Sequence, residues 1–403
     1  MSQRLLVLQS FAYLFLFSSL SFSEDYHIYL DADQTQGRGL ASTISIQRGI
    51  EVALAENDYK LNGFSVKLVL KDHRGSSPRS KKNIKDFIDD PKALSIFGGM
   101  HSPPILANKD FINENSILYF VPWAAAGPIT RSNQKENFIF RLSIDDSKAG
   151  AFISNYSMKE GFKRPYLLLE DTGWGKSNQK TMNQSLSDLN IKPTGLSWFN
   201  WGIGEAHAKL LIRDIIESKA DVIFLVCNAP EGETLLKALH DLSPATPIAI
   251  RSHWGITGGD FYNELGSDVL SNLNLKFIQT NFSFLNHQIT PFQNNVFLNL
   301  KKMDKAIQEP SQLKAPSGFI HAYDLMSLFI QAANKTDLTG NAKIDSLKIK
   351  SSLYQLKKSK GLLKEYSRPF SPNDDKNIDG HEALTSKDYT MGLFDKLGII
   401  KLD

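Results

Sequence analysis

The sequence predicts an α/β protein made of two doubly wound parallel-sheet lobes joined by a hinge. Short, continuous apolar runs alternate with longer amphipathic runs, which indicates parallel strands that are covered by helices on both faces. The alternation restarts after residues 143–148, so two β-α-β-α runs follow one another. A tail of helices then breaks the pattern. These helices are expected to pack back on the first lobe, which would make the chain cross between the lobes more than once.

The elements can be placed in order from the apolar runs and the Gly, Pro and polar residues between them. In the first lobe we expect strands 27–30, 66–70, 94–97, 117–121 and 138–142, with helices 42–57, 80–89 and 104–113. In the second lobe we expect strands 166–169, 193–199, 221–227 and 247–251, with a helix that ends near 189 and helices 206–218 and 230–242. The tail predicts helices 292–303, 316–334 and 344–356, a loop at 371–380 and closing strands within 389–400. The expected first lobe is therefore 24–143 plus 283–358, and the expected second lobe is 144–282 plus 359–403.

The first 23 residues predict a secretory signal peptide. Arg4 gives a positive start, residues 5–22 are almost wholly apolar or small, and Ser21 and Ser23 form a small-x-small cleavage site before Glu24. A membrane anchor is the alternative, but Gln9 interrupts the apolar run, which favours cleavage. The segment has no cysteine and therefore no site for a lipid anchor. We expect the mature chain to act in the periplasm.

Composition and motifs argue against several other classes of function. The chain has 403 residues and 46 Lys and Arg against 43 Asp and Glu, a balance that gives no reason to expect nucleic acid as a partner. Cys227 is the single cysteine, which excludes an internal disulfide and a cysteine-based metal site. The chain has no H-E-x-x-H helix motif, no G-x-S-x-G elbow and no phosphate-binding loop. We therefore expect neither an enzyme nor a bound cofactor or metal.

Candidate binding residues follow the ends of the predicted strands, because open parallel sheets bind ligands beyond the carboxyl ends of their strands. Residues 98–103 (GGMHSP) open a helix and provide His101 and Ser102 beside free backbone amides. Residues 122–127 (PWAAAG) provide the ring of Trp123 and small neighbours that expose the backbone. From the second lobe come Trp174, Asn228 and Trp254. The remaining tryptophans, Trp198 and Trp201, are expected to be structural.

In the order and spacing of these segments the chain resembles the type I periplasmic binding proteins, in particular the branch that binds leucine, isoleucine and valine and its amide- and aromatic-acid-binding relatives. The resemblance covers residues 27 to about 333. The segments that carry it are 49–57 (GIEVALAEN), 97–102 (FGGMHS), 122–130 (PWAAAGPIT), 138–141 (FIFR), 170–175 (EDTGWG) and 322–324 (AYD).

The resemblance implies a hinged clamshell that captures a small polar solute, such as an amino acid, and delivers it to the membrane permease of an ABC importer. It implies that Ser102 bonds the ligand carboxylate and that the Trp123 carbonyl accepts from the ligand ammonium. Ala125 stands where the family often has a hydroxyl. Trp174 replaces the tyrosine that closes over the ligand, and Asn228 also stands near a family tyrosine.

Trp254 departs from the pattern, because it falls where amino-acid binders tend to place a glutamate against the ammonium. A buried ammonium without an anionic partner is costly. Glu170, Asp171 or another acid could take over, tryptophan rings could hold a cation, or the ligand could lack an amino group. Binding of amides or aromatic acids, and a sensor role for a membrane receptor or kinase, therefore stay open.

Overall fold

Two sheets covered by helices form the framework of the protein, as seen in a computed structural model that describes residues 26–36, 39–131, 136–286, 288–374 and 377–403. The predicted signal peptide lies outside the described residues. Within them, no helix has both the length and the apolar composition needed to cross a bilayer.

The first part of the chain forms strands and helices close to the predicted ones. Its strands are β1 (Tyr26–Ala32), β2 (Lys60–Leu61), β3 (Phe64–Asp72), β4 (Ala93–Gly98), β5 (Tyr119–Val121) and β6 (Ile139–Arg141). Its helices are α1 (Leu40–Ala55), α2 (Ser77–Asp89) and α3 (Ser102–Glu114).

The second part again alternates strands with helices. Its strands are β7 (Pro165–Glu170), β8 (Gly195–Phe199), β9 (Val222–Val226), β10 (Ala249–Ser252) and β11 (Leu275–Thr280). Its helices are α4 (Asp146–Lys159), α5 (Gly173–Asp188), α6 (Glu205–Glu217), α7 (Ala229–Leu242), α8 (Phe261–Leu265) and α9 (Ser267–Ser271), with a 3₁₀ turn at Trp254–Gly258.

The tail adds helices and two short antiparallel pairs of strands. Its helices are α10 (Pro291–Met303), α11 (Pro316–Asn334) and α12 (Ala342–Leu353), and its strands are β12 (Lys358–Lys360), β13 (Glu365–Ser367), β14 (Tyr389–Phe394) and β15 (Ile400–Leu402).

Both sheets have the strand order of a doubly wound fold. The first runs β2-β3-β1-β4-β5-β6 and is parallel except for β2, and the second runs β15-β14-β11-β10-β9-β7-β8 and is parallel from β11 to β8. In each sheet the chain order reverses beside the first strand, between β1 and β4 and between β7 and β9. These are the two switch points where a doubly wound sheet leaves a crevice for a ligand. The predicted fold class, two parallel-sheet lobes, is confirmed.

The tail packs on the first lobe through a close contact between two helices. A Cβ added at Gly49 of α1 would lie 2.4 Å from the carbonyl oxygen of Phe319 in α11. Glycine thus lets the two helices approach closely, and α11 is buried on most of its surface. The last strands, β14 and β15, return to the second sheet. Before β14 along the chain, Glu382 and His381 contact the β6 strand of the first lobe, and we therefore propose that the last crossing lies near Thr385 rather than near residue 358.

Several elements were not predicted from the sequence: the helices α4, α8 and α9 and the strands β2, β11, β12 and β13. The buried face of α4 consists largely of small residues, among them Ala149, Gly150, Ser154 and Ser157. A Cβ at Gly150 would lie 2.1 Å from Thr181 Oγ1 of α5, so the two helices meet at short range. Small residues give little apolar periodicity, which is why this helix is not visible as an amphipathic pattern.

Candidate functional site

One cavity lies where the switch points of the two sheets face each other. All seven residues predicted for the site line it, and the empty space between them, including space open to solvent, is about 280 Å³. The first sheet contributes residues that follow β4 and β5, and the second contributes residues that follow β7, β8, β9 and β10. The lining residues are Met100, His101, Ser102, Pro103, Trp123, Ala125, Glu170, Trp174, Trp201, Asn228, Trp254 and Gly255.

On the side of the first lobe, the start of α3 presents His101 and Ser102. His101 Nε2 lies 2.9 Å from Asp33 Oδ2, and both side chains are buried. Burial alone would raise the pKa of Asp33, but hydrogen bonds from His101 and Thr35 hold it well below its ordinary value. Ser102 Oγ accepts a hydrogen bond from the Ala126 N–H at 3.2 Å, so its own proton remains for another acceptor. Pro103 and Pro104, which follow Ser102 in the first turn of α3, have no N–H, so the Ser102 hydroxyl is the side-chain donor at this edge of the cavity.

Two indole rings meet across the cleft. Trp123 of the first lobe and Trp254 of the second have ring centroids 5.0 Å apart at an interplanar angle of 31°. His321 of α11 lies on the other side of Trp254, with 5.1 Å between the ring centroids. Burial lowers the pKa of His321 to about 3, although the Pro122 carbonyl opposes this. His321 is therefore a neutral structural partner of the tryptophan pair.

The Trp123 carbonyl, which the resemblance assigns to a ligand ammonium, accepts a hydrogen bond from Ser143 Oγ at 3.1 Å. A carbonyl oxygen has a second lone pair, so this bond leaves room for one more donor. The Ala125 carbonyl accepts from the Asp146 N–H of the second lobe. The methyl group of Ala125 faces the cavity wall, where it offers no hydrogen bond.

Glu170 is the acid in the cavity. It is 1% exposed and accepts hydrogen bonds from Asn228 Nδ2 at 2.9 Å and from Thr172 Oγ1 at 3.0 Å. Burial raises its pKa to about 7, helped by the nearby charge of Glu231 and opposed by hydrogen bonds from Trp201, Thr172 and Asn228. Among the described residues no Lys or Arg pairs with it. Asp171, the other acid considered, is exposed and pairs with Lys176 at the surface.

Trp174 closes the cavity from the start of α5. Its ring stands edge-on to His253, with centroids 5.0 Å apart and an interplanar angle of 88°. His253 Nδ1 accepts from the Trp254 N–H, so His253 Nε2 carries the proton that it donates to Asp146 at 2.9 Å. The buried Nε1 of Trp174 has no hydrogen-bond partner among the residues that the structure describes. An unsatisfied donor at a cavity wall is suited to a ligand acceptor.

Comparisons with known proteins agree with this geometry. The sequence model of a periplasmic binding protein family matches residues 33–381. No curated protein sequence matches. Among solved structures, the leucine-binding protein LivK of Thermotoga maritima is 18% identical with a TM-score of 0.74, over 94% of this chain and 97% of that one.

Two other similar structures were solved with a bound ligand. The branched-chain amino acid transporter substrate-binding protein LivJ of Streptococcus pneumoniae, in complex with isoleucine, is 18% identical with a TM-score of 0.74, over 94% and 99% of the chains. A solute-binding protein of an ABC transporter from Rhodopseudomonas palustris, in complex with p-hydroxybenzoic acid, is 17% identical with a TM-score of 0.74, over 94% and 95%. At such low identities the similar structures show the fold alone. The family of the chain is shown by the match to the family model, which covers residues 33–381.

The chain belongs to the periplasmic binding protein family. In this periplasmic binding protein the lobes touch across the cleft. The Gly127 N–H of the first lobe donates to Ser177 Oγ of α5 at 3.1 Å, and Gly173 has no room for a side chain beside Leu106. The tryptophan pair also bridges the lobes. The structure therefore shows a closed arrangement.

Sequence reasoning missed Trp201 and Met100. Trp201, which was expected to be structural, lines the cavity, and its ring lies 5.0 Å from the ring of His101. The segment after β8 crosses to the first lobe, where a Cβ at Gly75 would lie 2.9 Å from the Trp201 ring. The signal in the sequence was the position of Trp201 just beyond a strand, the same rule that found the other tryptophans.

Proposed function

We propose that this periplasmic binding protein captures a small amino acid or a related zwitterion in the cleft and presents it to the permease of an ABC importer. The observation that carries the proposal is Glu170, a buried carboxylate inside a cavity lined by four of the five tryptophans of the chain. A carboxylate without a cationic partner at such a place is expensive to ionise, and a ligand ammonium would provide the missing charge.

The cationic end of the ligand would lie between Glu170 and the indole rings. Glu170 is held in place by Asn228 and Thr172, which leaves the side of the carboxylate that lines the cavity for the ligand. Aromatic faces attract cations, most strongly where water is excluded. In this reading Glu170 takes the role that the family gives to a glutamate at the position of Trp254, and it does so from the end of β7.

The anionic end would lie at the start of α3. The Ser102 hydroxyl is a donor suited to a carboxylate, and Trp174 Nε1 adds a buried donor without a partner among the described residues. Donors on one side and a single carboxylate on the other match a zwitterion better than an aromatic acid.

The experiment is a calorimetric titration of the mature protein with amino acids, their deaminated analogues, benzoate and 4-hydroxybenzoate. We expect binding of one or more amino acids and no binding of the corresponding deaminated acids. The Glu170→Gln variant should lose affinity for the amino acid by roughly 100-fold or more, because the ammonium would then be buried without an anion.

The matched control is Asp171→Asn, which removes the neighbouring carboxylate that faces solvent, and it should bind like the wild type. Binding of aromatic acids with equal strength in the wild type and Glu170→Gln would overturn the amino-acid assignment and favour the aromatic-acid class. An equal loss of binding in Asp171→Asn would show that the effect is not specific to the cavity.

A further inference from the structure

A second and larger cavity lies on the far side of the 3₁₀ turn that carries Trp254 and Gly255. The empty space between its walls, including space open to solvent, is about 960 Å³. Trp254 and Gly255 line the cleft cavity, whereas Ile256 and Thr257, the next residues of the turn, line this second cavity. The two cavities therefore share one wall but have no lining residue in common.

The walls of the second cavity come from both lobes. The second lobe contributes the turn, the start of α8 and the β14–β15 hairpin, and the first lobe contributes the segment 310–320 that leads into α11. Lys314 of that segment forms an ion pair with Asp260 of the second lobe, and both residues line the cavity. A molecule in this space would contact both lobes in their closed arrangement.

The lining is mainly apolar and contains one buried polar group that needs a partner. Gln279 at the end of β11 is 3% exposed, and its Oε1 accepts from Ser317 Oγ at 2.8 Å. The Nε2 donor of the same amide has no hydrogen-bond partner among the described residues. A buried donor left without a partner costs about 1–3 kcal/mol, so its position at a cavity wall is informative.

The polar groups beside Gln279 already have partners, which leaves its Nε2 as the donor that needs one. In the first turn of the 19-residue helix α11, the Gly318 N–H donates to the Ala315 carbonyl and the Phe319 N–H donates to Ser45 Oγ, and Lys314 near the rim pairs with Asp260. Apolar side chains surround these groups, among them Ile256, Phe282, Leu313 and Ile320. The required partner is thus an apolar molecule with an oxygen acceptor at one end.

We propose that this cavity is a second ligand site, separate from the cleft, that binds a small apolar molecule whose carbonyl or carboxylate oxygen accepts a hydrogen bond from Gln279 Nε2. The apolar part of the molecule fills the space between the 3₁₀ turn and the 310–320 segment. Because the walls belong to both lobes, the molecule binds the closed arrangement better than an arrangement in which the walls have moved apart.

The test uses octanoate and 2-octanone as probes, titrated into the mature protein and followed by ligand-observed NMR and by thermal unfolding. Both carry an apolar chain and an oxygen acceptor, but only octanoate is charged, so their comparison separates a carboxylate site beside Lys314 from a neutral carbonyl site. We expect saturable binding of at least one probe with a dissociation constant of roughly 1 mM or tighter.

Two variants locate the binding. Gln279→Leu keeps the size of the side chain and removes the donor, and it should weaken probe binding about tenfold. Ser283→Trp places a large ring at the half-buried rim of the cavity and should abolish probe binding. The variant Glu170→Gln alters the cleft alone and should bind the probe like the wild type.

The proposal would be overturned by the absence of saturable binding for both probes. It would also be overturned if the probe still bound to Ser283→Trp, or if Glu170→Gln lost it, since the probe would then occupy the cleft. Circular dichroism of each variant shows whether it has folded. Gln279→Leu and Ser283→Trp change different residues of the cavity, so if one of them misfolds, probe binding to the other still tests the proposal.

Discussion

Two buried carboxylates, Glu382 beside the hinge and Glu170 in the cleft, differ in what neutralises them. Glu382 accepts hydrogen bonds from Arg141 Nη2 at 2.6 Å and from Arg141 Nε at 2.9 Å. It also accepts a hydrogen bond from Thr130 Oγ1. Arg141 is fully buried and also pairs with Asp145 at 2.9 Å. Burial alone would lower the pKa of Arg141, but Glu382 and Asp145 raise it above its ordinary value.

Around Glu170 the donors are neutral. An amide, a hydroxyl and an indole hold the carboxylate, and burial leaves its pKa near 7. Glu382 and Glu170 therefore represent two different uses of a buried carboxylate. Near the hinge the opposite charge belongs to the protein, which fixes the first lobe to the returning tail. In the cleft no such charge is present among the described residues, and the site is suited to a cation from outside.

The largest expected effect comes from breaking the hinge pair. Arg141→Ala removes the fully buried cation that contacts both Glu382 and Asp145, while Asp145 keeps its pairs with Arg131 and Lys148, and should lower the free energy of unfolding by about 3–5 kcal/mol. Urea unfolding followed by circular dichroism measures this. Lys209→Ala, which removes a surface pair with Glu205, is the control and should leave the same free energy nearly unchanged, because exposed ion pairs contribute little to stability. Similar small losses in both variants would contradict a structural role for the hinge pair.

A smaller effect is expected from the pH dependence that Glu170 confers on the unliganded protein. The pKa of Glu170 is about 7 in the folded state against 4.5 ordinarily. Between pH 4.5 and 7 the folded state therefore keeps a proton on Glu170 that the unfolded state has lost. The resulting stability is fully present below about pH 4.5 and is lost as pH rises through about 7, with a ceiling of roughly 3 kcal/mol. Urea unfolding at about pH 5 and pH 8 measures it.

A comparison of the wild type with Glu170→Gln isolates the contribution of Glu170 to the pH dependence of stability. Asp31 and Asp324 are also buried, and burial raises the pKa of each to about 6, so they contribute a pH dependence of the same sign in both proteins. Only the wild type should have the additional loss of stability towards pH 8. Identical pH profiles for the two proteins would show that Glu170 titrates normally.

The sequence was sufficient for the fold and for most of the cleft because both follow from local rules. Continuous apolar strands predict parallel sheets, and the rule that ligands bind beyond strand ends points to Ser102, Trp123 and Trp254 without further information. What the sequence could not show are contacts between distant segments. The pairing of His101 with Asp33 and the choice of Glu170 over Asp171 depend on which side chain is buried, which only the folded chain decides.

The same limit applies to the second cavity. Gln279 lies in a short strand that was not predicted, and nothing in its neighbourhood along the chain indicates an unpaired buried amide. Its partner Ser317 is 38 residues away, at the start of α11. Cavities between lobes are a property of how the elements pack, and periodicity carries no information about them.

The smallest expected effect concerns Trp174, whose indole donor is unsatisfied in the cleft. Trp174→Phe keeps a ring beside His253 but removes Nε1, and it should weaken binding of the amino acid about 5- to 15-fold, the value of one hydrogen bond. The unliganded protein should change in stability by about 1 kcal/mol or less, because lost packing offsets the removal of an unpaired donor. Trp198→Phe, in β8 and outside the cavity, is the matched control and should bind normally. Unchanged affinity in Trp174→Phe would mean that its indole N–H does not bond the ligand, and the difference between the cleft and the hinge would then rest on Glu170 alone.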